Sequence, residues 1–384
     1  MQFIDLKSQY AFLKEEIDTN IHKVLDHGQY VMGPEVLEIE EKLAKYAGTK
    51  HCVSCSSGTD ALVMALMAHG IGKDDVVITT PFTFIATAEA IKFVGAKPLF
   101  VDIDIDTFNI SPHILQKTLG SIASNETTIH SKVCKDIKDI KAIISVDLFG
   151  LPADANAINK IAKKYGLIVI EDAAQGFGGS IDGAKAGGLA DIGCTSFFPA
   201  KPLGCYGDGG AIFTNNDGIA EILKSIRVHG QGHDKYQNVR LGLTGRLDTI
   251  QAAVLLPKLE VFDSEVEQRQ NVAKLYTSKL SKIEGITTPS IPDGYISAWA
   301  QYTLMAKDDE HRAKIIEHLK SNDVPVAVYY PIPLHEQKVF EGLGYSSVAF
   351  EASSNAARCV FSLPMHPYLK AEDIENICKL IEIM

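Results

Sequence analysis

Ser196-Phe197-Phe198-Pro199-Ala200-Lys201-Pro202-Leu203-Gly204-Cys205-Tyr206-Gly207-Asp208-Gly209-Gly210 places one lysine between an apolar strand ending and a glycine-dense run. The apolar residues before it, Cys194 to Phe198, remove water from the amine and favour its uncharged form. The glycines after it let backbone or ligand approach closely. An amine that must lose its proton and attack a carbonyl is served by both features. A lysine here can equally be a solvated surface cation, so the neighbouring segments decide.

Two segments agree with the chemical reading. Asp172 follows the apolar run Leu167-Ile168-Val169-Ile170, and Ser57-Gly58-Thr59-Asp60 opens an apolar helix. In open α/β sheets, functional groups gather at the carboxyl ends of strands. A carboxylate there can keep a pyridine nitrogen protonated, and a helix start can hold a phosphate with its free N–H groups. Each has an ordinary alternative: Asp172 as the cap of a following helix, and Thr59 or Asp60 as the cap of theirs. Gln175 can bond a ring hydroxyl or be a loop amide, and Phe84 can stack on a ring or fill the core. Lysine, carboxylate and helix start together describe a site for pyridoxal phosphate.

The 384 residues suit a large domain and a smaller one. Apolar residues make up 46% and charged residues 22%, enough to bury a sizeable core. A formal net charge of −11 with no basic block argues against nucleic acid as a partner. No apolar run reaches the roughly 20 residues of a bilayer crossing, and the first residues lack the features of a secretory signal. Seven scattered cysteines fit a reducing cytoplasm. The lone pair Cys52 and Cys55 reads as strand rather than as a metal site.

Apolar runs alternate with amphipathic stretches in the first half, the pattern of an α/β fold with a largely parallel sheet. Strands are expected at Val76–Ile78, Pro98–Val101, Ala142–Val146 and Leu167–Ile170, with helices at Asp60–His69, Ala86–Val94 and Ala155–Tyr165. Ser121 to Asp139 is polar and lysine-rich and is expected to be a surface excursion. A helical region starting at Asp248 leads into strands near Ala298–Met305 and Val324–Tyr329, with helices at His311–Asn322 and Ala371–Ile383. These suggest a large domain over 1–260, with an N-terminal arm, and a smaller α/β domain over 261–384.

The chain resembles the sugar aminotransferases of the DegT/DnrJ/EryC1/StrS family over nearly its whole length. The resemblance is carried by Ile4-Asp5-Leu6, Gly33-Pro34, Ser57 to Leu62, Glu171 to Gln175, the Lys201 segment, Arg246-Leu247-Asp248 with Gln251-Ala252, Tyr330-Pro331, Pro333-Leu334-His335 and Ser362-Leu363-Pro364. It implies a fold-type I enzyme dependent on pyridoxal 5'-phosphate, with a mixed, mostly parallel sheet and a homodimer whose active sites draw on both subunits. Lys201 would bind the cofactor's aldehyde and Asp172 its ring nitrogen. Gln175 would lie near the ring oxygen, Phe84 on the ring, and Gly58, Thr59 and Ser196 at the phosphate. The family's dehydratases carry histidine in place of Lys201, so the lysine favours transamination.

More narrowly, Gly28-Gln29-Tyr30, Thr195 to Gly210 and Arg246 to Thr249 look like the bacterial enzymes that aminate C3 of a UDP-linked 3-keto sugar for surface polysaccharide, those acting on UDP-2-acetamido-2-deoxy-3-oxo-glucuronate among them. L-Glutamate is the usual donor there, and Gly28, Tyr30, Arg246 and Tyr330 match positions used for the nucleotide sugar. Three positions depart from that pattern: Ala200 replaces a usual serine, Tyr329 a common histidine, and Thr244 an asparagine that reaches the partner's cofactor phosphate. The sugar therefore stays open between the uronate, UDP-3-keto-N-acetylglucosamine and a 3-keto or 4-keto 6-deoxyhexose. Arg246 reads either as a carboxylate fork or as half of a dimer ion pair with Asp248. His335 either contacts ligand or closes the C-terminal domain. Two rivals remain: an oxidoreductase built on Gly176 to Gly179, and a cofactor-holding regulator.

Overall fold

A computed structural model describes residues 1–234, 236–346 and 349–384. The N-terminal arm forms helices α1 (Leu6–Phe12), α2 (Lys14–His27) and α3 (Pro34–Ala47). Strand β1 (His51–Cys55) leads into α4 (Gly58–Ala68), and β2 (Val76–Thr79) into α5 (Ala86–Phe93). After β3 (Lys97–Phe100) come α6 (Pro112–Ala123), β4 (Ile140–Val146), α7 (Ala155–Tyr165) and β5 (Ile168–Asp172). A small hairpin, β6 (Ser180–Ile181) and β7 (Ala184–Lys185), precedes β8 (Ile192–Ser196), β9 (Gly210–Thr214) and α8 (Asp217–Ile226).

Seven strands form the main sheet in the order β1-β9-β8-β5-β4-β2-β3. The β2, β3, β4, β5 and β8 pairings are parallel, while β9 runs antiparallel to both β8 and β1. Reversal of β9 alone brings β1 back into the common direction, so β1, β5 and β8 end at one edge. The strands are nearly continuous apolar runs because helices cover both faces. Ala61, Leu62, Ala65 and Leu66 of α4 pack on one face with Ile144, Ile170 and Ile212. Leu115, Leu119, Ile158 and Ile161 pack on the other with Ile78, Ile143 and Val169.

Helix α9 (Thr249–Leu280) is one continuous 32-residue helix. Its first half packs Ala252, Leu255 and Phe262 against α3 and Phe213, and its second half packs Val272, Tyr276 and Leu280 into the C-terminal core. Residue 260 thus lies inside an unbroken helix that belongs to both cores. Beyond it, β10 (Ile286–Thr287), β12 (Tyr302–Ala306) and β13 (Val360–Leu363) form a small antiparallel sheet, while β11 (Tyr295–Ile296) pairs with β6. Helices α10 (Asp309–Ser321), α11 (Glu351–Cys359) and α12 (Ala371–Glu382) complete this part.

Two expectations are corrected. Val324–Tyr329 forms no strand: only Ala327 bridges to Ser362, through backbone bonds of 2.8 and 3.3 Å. Pro325 has no N–H to donate, and beyond the bridge the chain leaves the sheet toward Tyr329 and Tyr330. Residues 121–139 are not merely a surface excursion, since α6 continues to Ala123 and His130, Val133 and Cys134 are buried. The imidazole Nδ1 of His130 lies 3.3 Å from the Tyr345 hydroxyl, more than 200 residues away, a contact with no local periodic signature.

Candidate active site

At the common strand edge, Cys55 and Ser196 both pair with Gly210, so β1, β9 and β8 finish abreast. The chain leaves β1 through Ser56 and Ser57 into α4. Ser57, rather than Thr59 or Asp60, caps the helix: its hydroxyl accepts from the Asp60 N–H at 3.0 Å, and Asp60 accepts from the Ser56 hydroxyl. The N–H groups of Gly58 and Thr59 stand at the positive end of the helix dipole without intrahelical acceptors. A Cβ on Gly58 would lie 2.6 Å from the Ser196 Cβ, and one on Gly210 would lie 2.5 Å from the Ser57 carbonyl oxygen. Two glycines thus close a cradle lined by free N–H groups and the Ser196 side chain, suited to a phosphate.

Asp172 ends β5 and is buried. It does not cap a helix. Thr87 Oγ1 at the start of α5 donates to Oδ2 at 2.8 Å, and the Ala174 N–H donates to Oδ1 at 3.2 Å. Burial raises the carboxyl's pKa; Thr87, the charge of Lys201 and the Ala174 N–H pull it down. Burial likewise lowers the pKa of Lys201, against the charge of Asp172. Among the described residues no ion pair joins the two, yet each feels the other's charge, so the amine and the carboxylate lie near one another. A group held between them meets a nucleophilic amine on one side and a fixed negative charge on the other.

Gln175 is also buried. Its Oε1 accepts from the Phe149 N–H at 2.7 Å, and its Nε2 donates to the Tyr330 hydroxyl at 3.0 Å. Tyr330 is thereby tied to the main sheet, and its ring meets Phe82 and Phe84 at centroid separations of 6.3 and 6.1 Å. Phe84 is 52% exposed rather than a core aromatic. Tyr329 packs edge-on against Phe3 at 6.3 Å. Burial raises the phenol pKa of both tyrosines, so both hydroxyls stay protonated donors.

The remaining candidates divide into two groups. Gly28, left-handed at φ 71° after α2, and Tyr30 lie in a turn docked on the start of α9, where the Thr249 N–H donates to the Tyr30 carbonyl at 3.0 Å. Val31 bridges Asp248, which brings this turn beside Arg246. Arg246 is half-buried and, among the described residues, forms no ion pair with Asp248 or any other side chain. The exposed Thr244 has its hydroxyl 2.7 Å from Nε2 of His229. His335 lies apart from these: it is buried edge-on against Phe350 at 4.8 Å and beside Glu336, while the neighbouring Leu334 N–H donates to the Pro81 carbonyl at 2.7 Å.

Sequence reasoning missed several supporting residues. Thr87 carried no signal beyond its position one helical turn after Thr83. Glu40 of α3 is buried with Arg227 at the end of α8, and its carboxylate also takes the N–H and hydroxyl of Ser54 in β1. The Arg227 carbonyl receives the Gly245 N–H at 3.0 Å, and the Gly245 carbonyl receives the Ser56 N–H at 3.2 Å. This network joins the phosphate cradle to the segment of Thr244 and Arg246. The Gly176–Gly179 loop is followed by a hairpin instead of a dinucleotide-binding helix, and its Phe177 stacks on Phe213 at 5.4 Å.

A lysine of lowered pKa, a buried carboxylate with fixed partners and an N–H-lined cradle match the aldehyde, ring nitrogen and phosphate of pyridoxal phosphate. Comparison with known proteins agrees. The model of the DegT/DnrJ/EryC1/StrS aminotransferase family matches residues 12–382. The chain is 47% identical to the UDP-2-acetamido-2-deoxy-3-oxo-D-glucuronate aminotransferase of Pseudomonas aeruginosa, over 98% of each chain. It is 43% identical to a pleiotropic regulatory protein of Geobacillus stearothermophilus, over 98% of this chain and 96% of that one. The crystal structure of a DegT DnrJ EryC1 StrS aminotransferase from Brucella abortus superposes with a TM-score of 0.91 at 43% identity, over 99% of this chain and 98% of that one. The chain is therefore a member of the DegT/DnrJ/EryC1/StrS aminotransferase family, a pyridoxal phosphate-dependent transaminase of fold type I.

Proposed function

We propose that the protein transfers the amino group of L-glutamate to the C3 ketone of a UDP-linked sugar, UDP-2-acetamido-2-deoxy-3-oxo-glucuronate in the first instance, for a bacterial surface polysaccharide such as O-antigen. The observation that carries this reading is the electrostatic coupling of Lys201 and Asp172 at the strand edge that holds the Gly58–Ser196 cradle, together with the likeness to an aminotransferase of that substrate. When bound, the cofactor supplies an electron sink that makes the Cα proton of the amino donor acidic.

The residues divide the remaining work. Lys201 Nζ, biased toward its neutral form, takes the proton from the donor's Cα and in the second half-reaction returns one to the sugar C3. Asp172, oriented by Thr87 and Ala174, keeps the ring nitrogen protonated. Gly58, Thr59 and Ser196 hold the phosphate. Phe84 and Tyr330 cover the ring and exclude water. Arg246, a planar fork without an ion-pair partner among the described residues, binds the glutamate carboxylate, the uronate, or each in turn. Gly28, Tyr30 and Tyr329 contact the nucleotide sugar.

A homodimer completes this reading. Tyr30, Val31, Phe84, Phe198, Val239 and Leu241 are all exposed. Several flank the site residues in sequence, and an interface between two copies would cover apolar surface of this kind. Thr244, already bonded to His229, would then face the partner's cofactor phosphate through the rest of its hydroxyl's hydrogen-bonding capacity. Cytoplasmic location suits the reading, and among the described residues no helix is long and apolar enough to cross a membrane.

The test runs in two half-reactions. Cofactor-loaded protein incubated with glutamate should release one 2-oxoglutarate per site. The product protein should then aminate UDP-3-keto-N-acetylglucosaminuronate faster than its C6-hydroxymethyl analogue, and the Lys201→Ala protein should do neither. A preference for the uncharged sugar would make Ala200 and Tyr329 markers of another acceptor. Bound cofactor with no 2-oxoglutarate formed would return the regulator reading.

A further inference from the structure

Lys258 is a buried lysine in the first half of α9, and transamination as described above gives it no task. Its Nζ donates to the carbonyl oxygen of Gly204 at 2.7 Å and lies 4.2 Å from the centroid of the Tyr206 ring. Both contacts fall in the loop that carries Lys201. The loop is closed on itself: the Cys205 N–H donates to the Phe197 carbonyl, and the Lys201 N–H to the Phe198 carbonyl, both at 2.8 Å. Gly204 is pressed so closely onto the backbone that a Cβ there would stand 2.6 Å from the Pro199 carbonyl oxygen. Two turns before and two turns after Lys258, α9 makes further ties to its surroundings. Gln251 Oε1 accepts the Tyr206 N–H at 2.8 Å, and Glu265 takes both Gln9 and Tyr368. Tyr206 in turn meets Tyr10 of α1 edge-on at 6.1 Å.

We propose that Lys258 is a positioning residue for Lys201: its ammonium, bonded to the Gly204 carbonyl and seated on the Tyr206 ring, clamps the 197–206 loop to α9 and so sets where the Lys201 amine stands. A charged donor to a buried carbonyl is stronger than a neutral one, and an ammonium over an aromatic face adds to it. Because the loop folds on itself as one small unit, fixing Gly204 fixes its tip. Lys258 touches no reacting atom, so its effect is on the geometry of Lys201 alone. The proposal rests on Lys201 being the cofactor lysine, but the mechanical half can be read without cofactor.

The groups facing Lys258 are Glu265 on its own helix and Cys205 and Tyr206 on the loop. Burial pushes the ammonium down to about 8, with Glu265 and Cys205 opposing. Burial pushes the Cys205 thiol up to about 11 and the Tyr206 phenol up to about 12. Between pH 7 and roughly 9.5, Lys258 therefore changes charge while Cys205 and Tyr206 stay neutral.

The experiment measures peptide-level amide exchange in the full-length protein, with and without added pyridoxal phosphate, for wild type, Lys258→Met and Lys258→Arg. Exchange in 197–206 should quicken at least tenfold in Lys258→Met while β5 at 168–172 stays protected, and Lys258→Arg should restore most of the protection. With cofactor, the pH midpoint of its absorbance change should move in Lys258→Met, because the amine it depends on is no longer held. Should Lys258→Met fail to fold, wild type alone decides: protection of 197–206 relative to 168–172 should fall severalfold as pH rises from 7 to 9.5. Unchanged exchange in a folded Lys258→Met, or a flat wild-type profile, overturns the clamp. Faster exchange with an unmoved absorbance midpoint would keep the clamp and sink its link to Lys201.

Discussion

Gly58 lies so close to Ser196 that a Cβ built on the glycine would stand 2.6 Å from the serine's own Cβ. The contact joins the first turn of α4 to the end of β8, two places 138 residues apart in the chain, and it forms the floor of the cradle proposed for the phosphate. Gly58→Ala must push α4 or β8 aside. Overpacking of this kind costs about 1–3 kcal/mol of stability, and the displaced N–H groups lose their aim. The variant should fold, yet lose pyridoxal phosphate on dialysis that leaves wild type loaded. Equal retention would mean that the phosphate sits elsewhere.

Thr87→Val removes the hydroxyl that donates to Asp172 Oδ2. A hydrogen bond to a charged group is worth about 1.5–3 kcal/mol, so the Asp172 carboxylate becomes a poorer partner for a ring cation. Turnover should fall roughly tenfold or more, and Thr87→Ser should recover most of it. A Thr87→Val protein with wild-type kinetics in both half-reactions would show that Ala174 alone orients the carboxylate.

The Glu40–Arg227 pair is buried behind the cradle. Arg227→Met leaves the Glu40 carboxylate, among the described residues, with only the Ser54 N–H and hydroxyl as partners. Breaking such a pair costs about 3–5 kcal/mol. The denaturant midpoint should drop accordingly. The double variant Glu40→Leu with Arg227→Met should regain part of the loss, since no charge is then stranded. A single variant as stable as wild type would rule the pair out as a structural tie.

His130 has its pKa pushed down to about 4 by burial. Its folded value is thus below the ordinary value near 6.5, and the neutral form is the one buried. Stability from this residue is complete above pH 6.5 and drains away as pH falls from about 6.5 to about 4, by roughly 3 kcal/mol from the size of that shift. Chemical denaturation at pH 7.5 and pH 5 should show part of this loss, and His130→Asn should flatten the acid side of the profile. An unaltered slope in the variant would place the acid sensitivity in another group.

Much of the candidate site was legible in sequence because the chemistry proposed for it rests on residue types at strand ends: Lys201 in its glycine-rich loop, Asp172 after an apolar run, and the Ser57-Gly58-Thr59 helix start. Parallel strands buried on both faces are apolar runs that announce themselves, and helix starts carry their caps. The details that choose between neighbours were not legible. Ser57 rather than Thr59 or Asp60 became the cap because the helix begins two residues earlier than the apolar pattern suggests. Val324–Tyr329 has the composition of a strand, but Pro325 leaves it only the Ala327 bridge to Ser362.

By itself the sequence determined which groups could do the chemistry, since an amine, a carboxylate and a capped helix start are properties of residue identity and local spacing. Tertiary structure alone decided their company: Thr87 on Asp172, Phe149 and Tyr330 on Gln175, Glu40 with Arg227, His130 with Tyr345, and Lys258 beneath the Lys201 loop. The reason is physical. Propensity and periodicity act over one or two turns, whereas a buried polar group takes whatever partner the fold delivers to it, often hundreds of residues away.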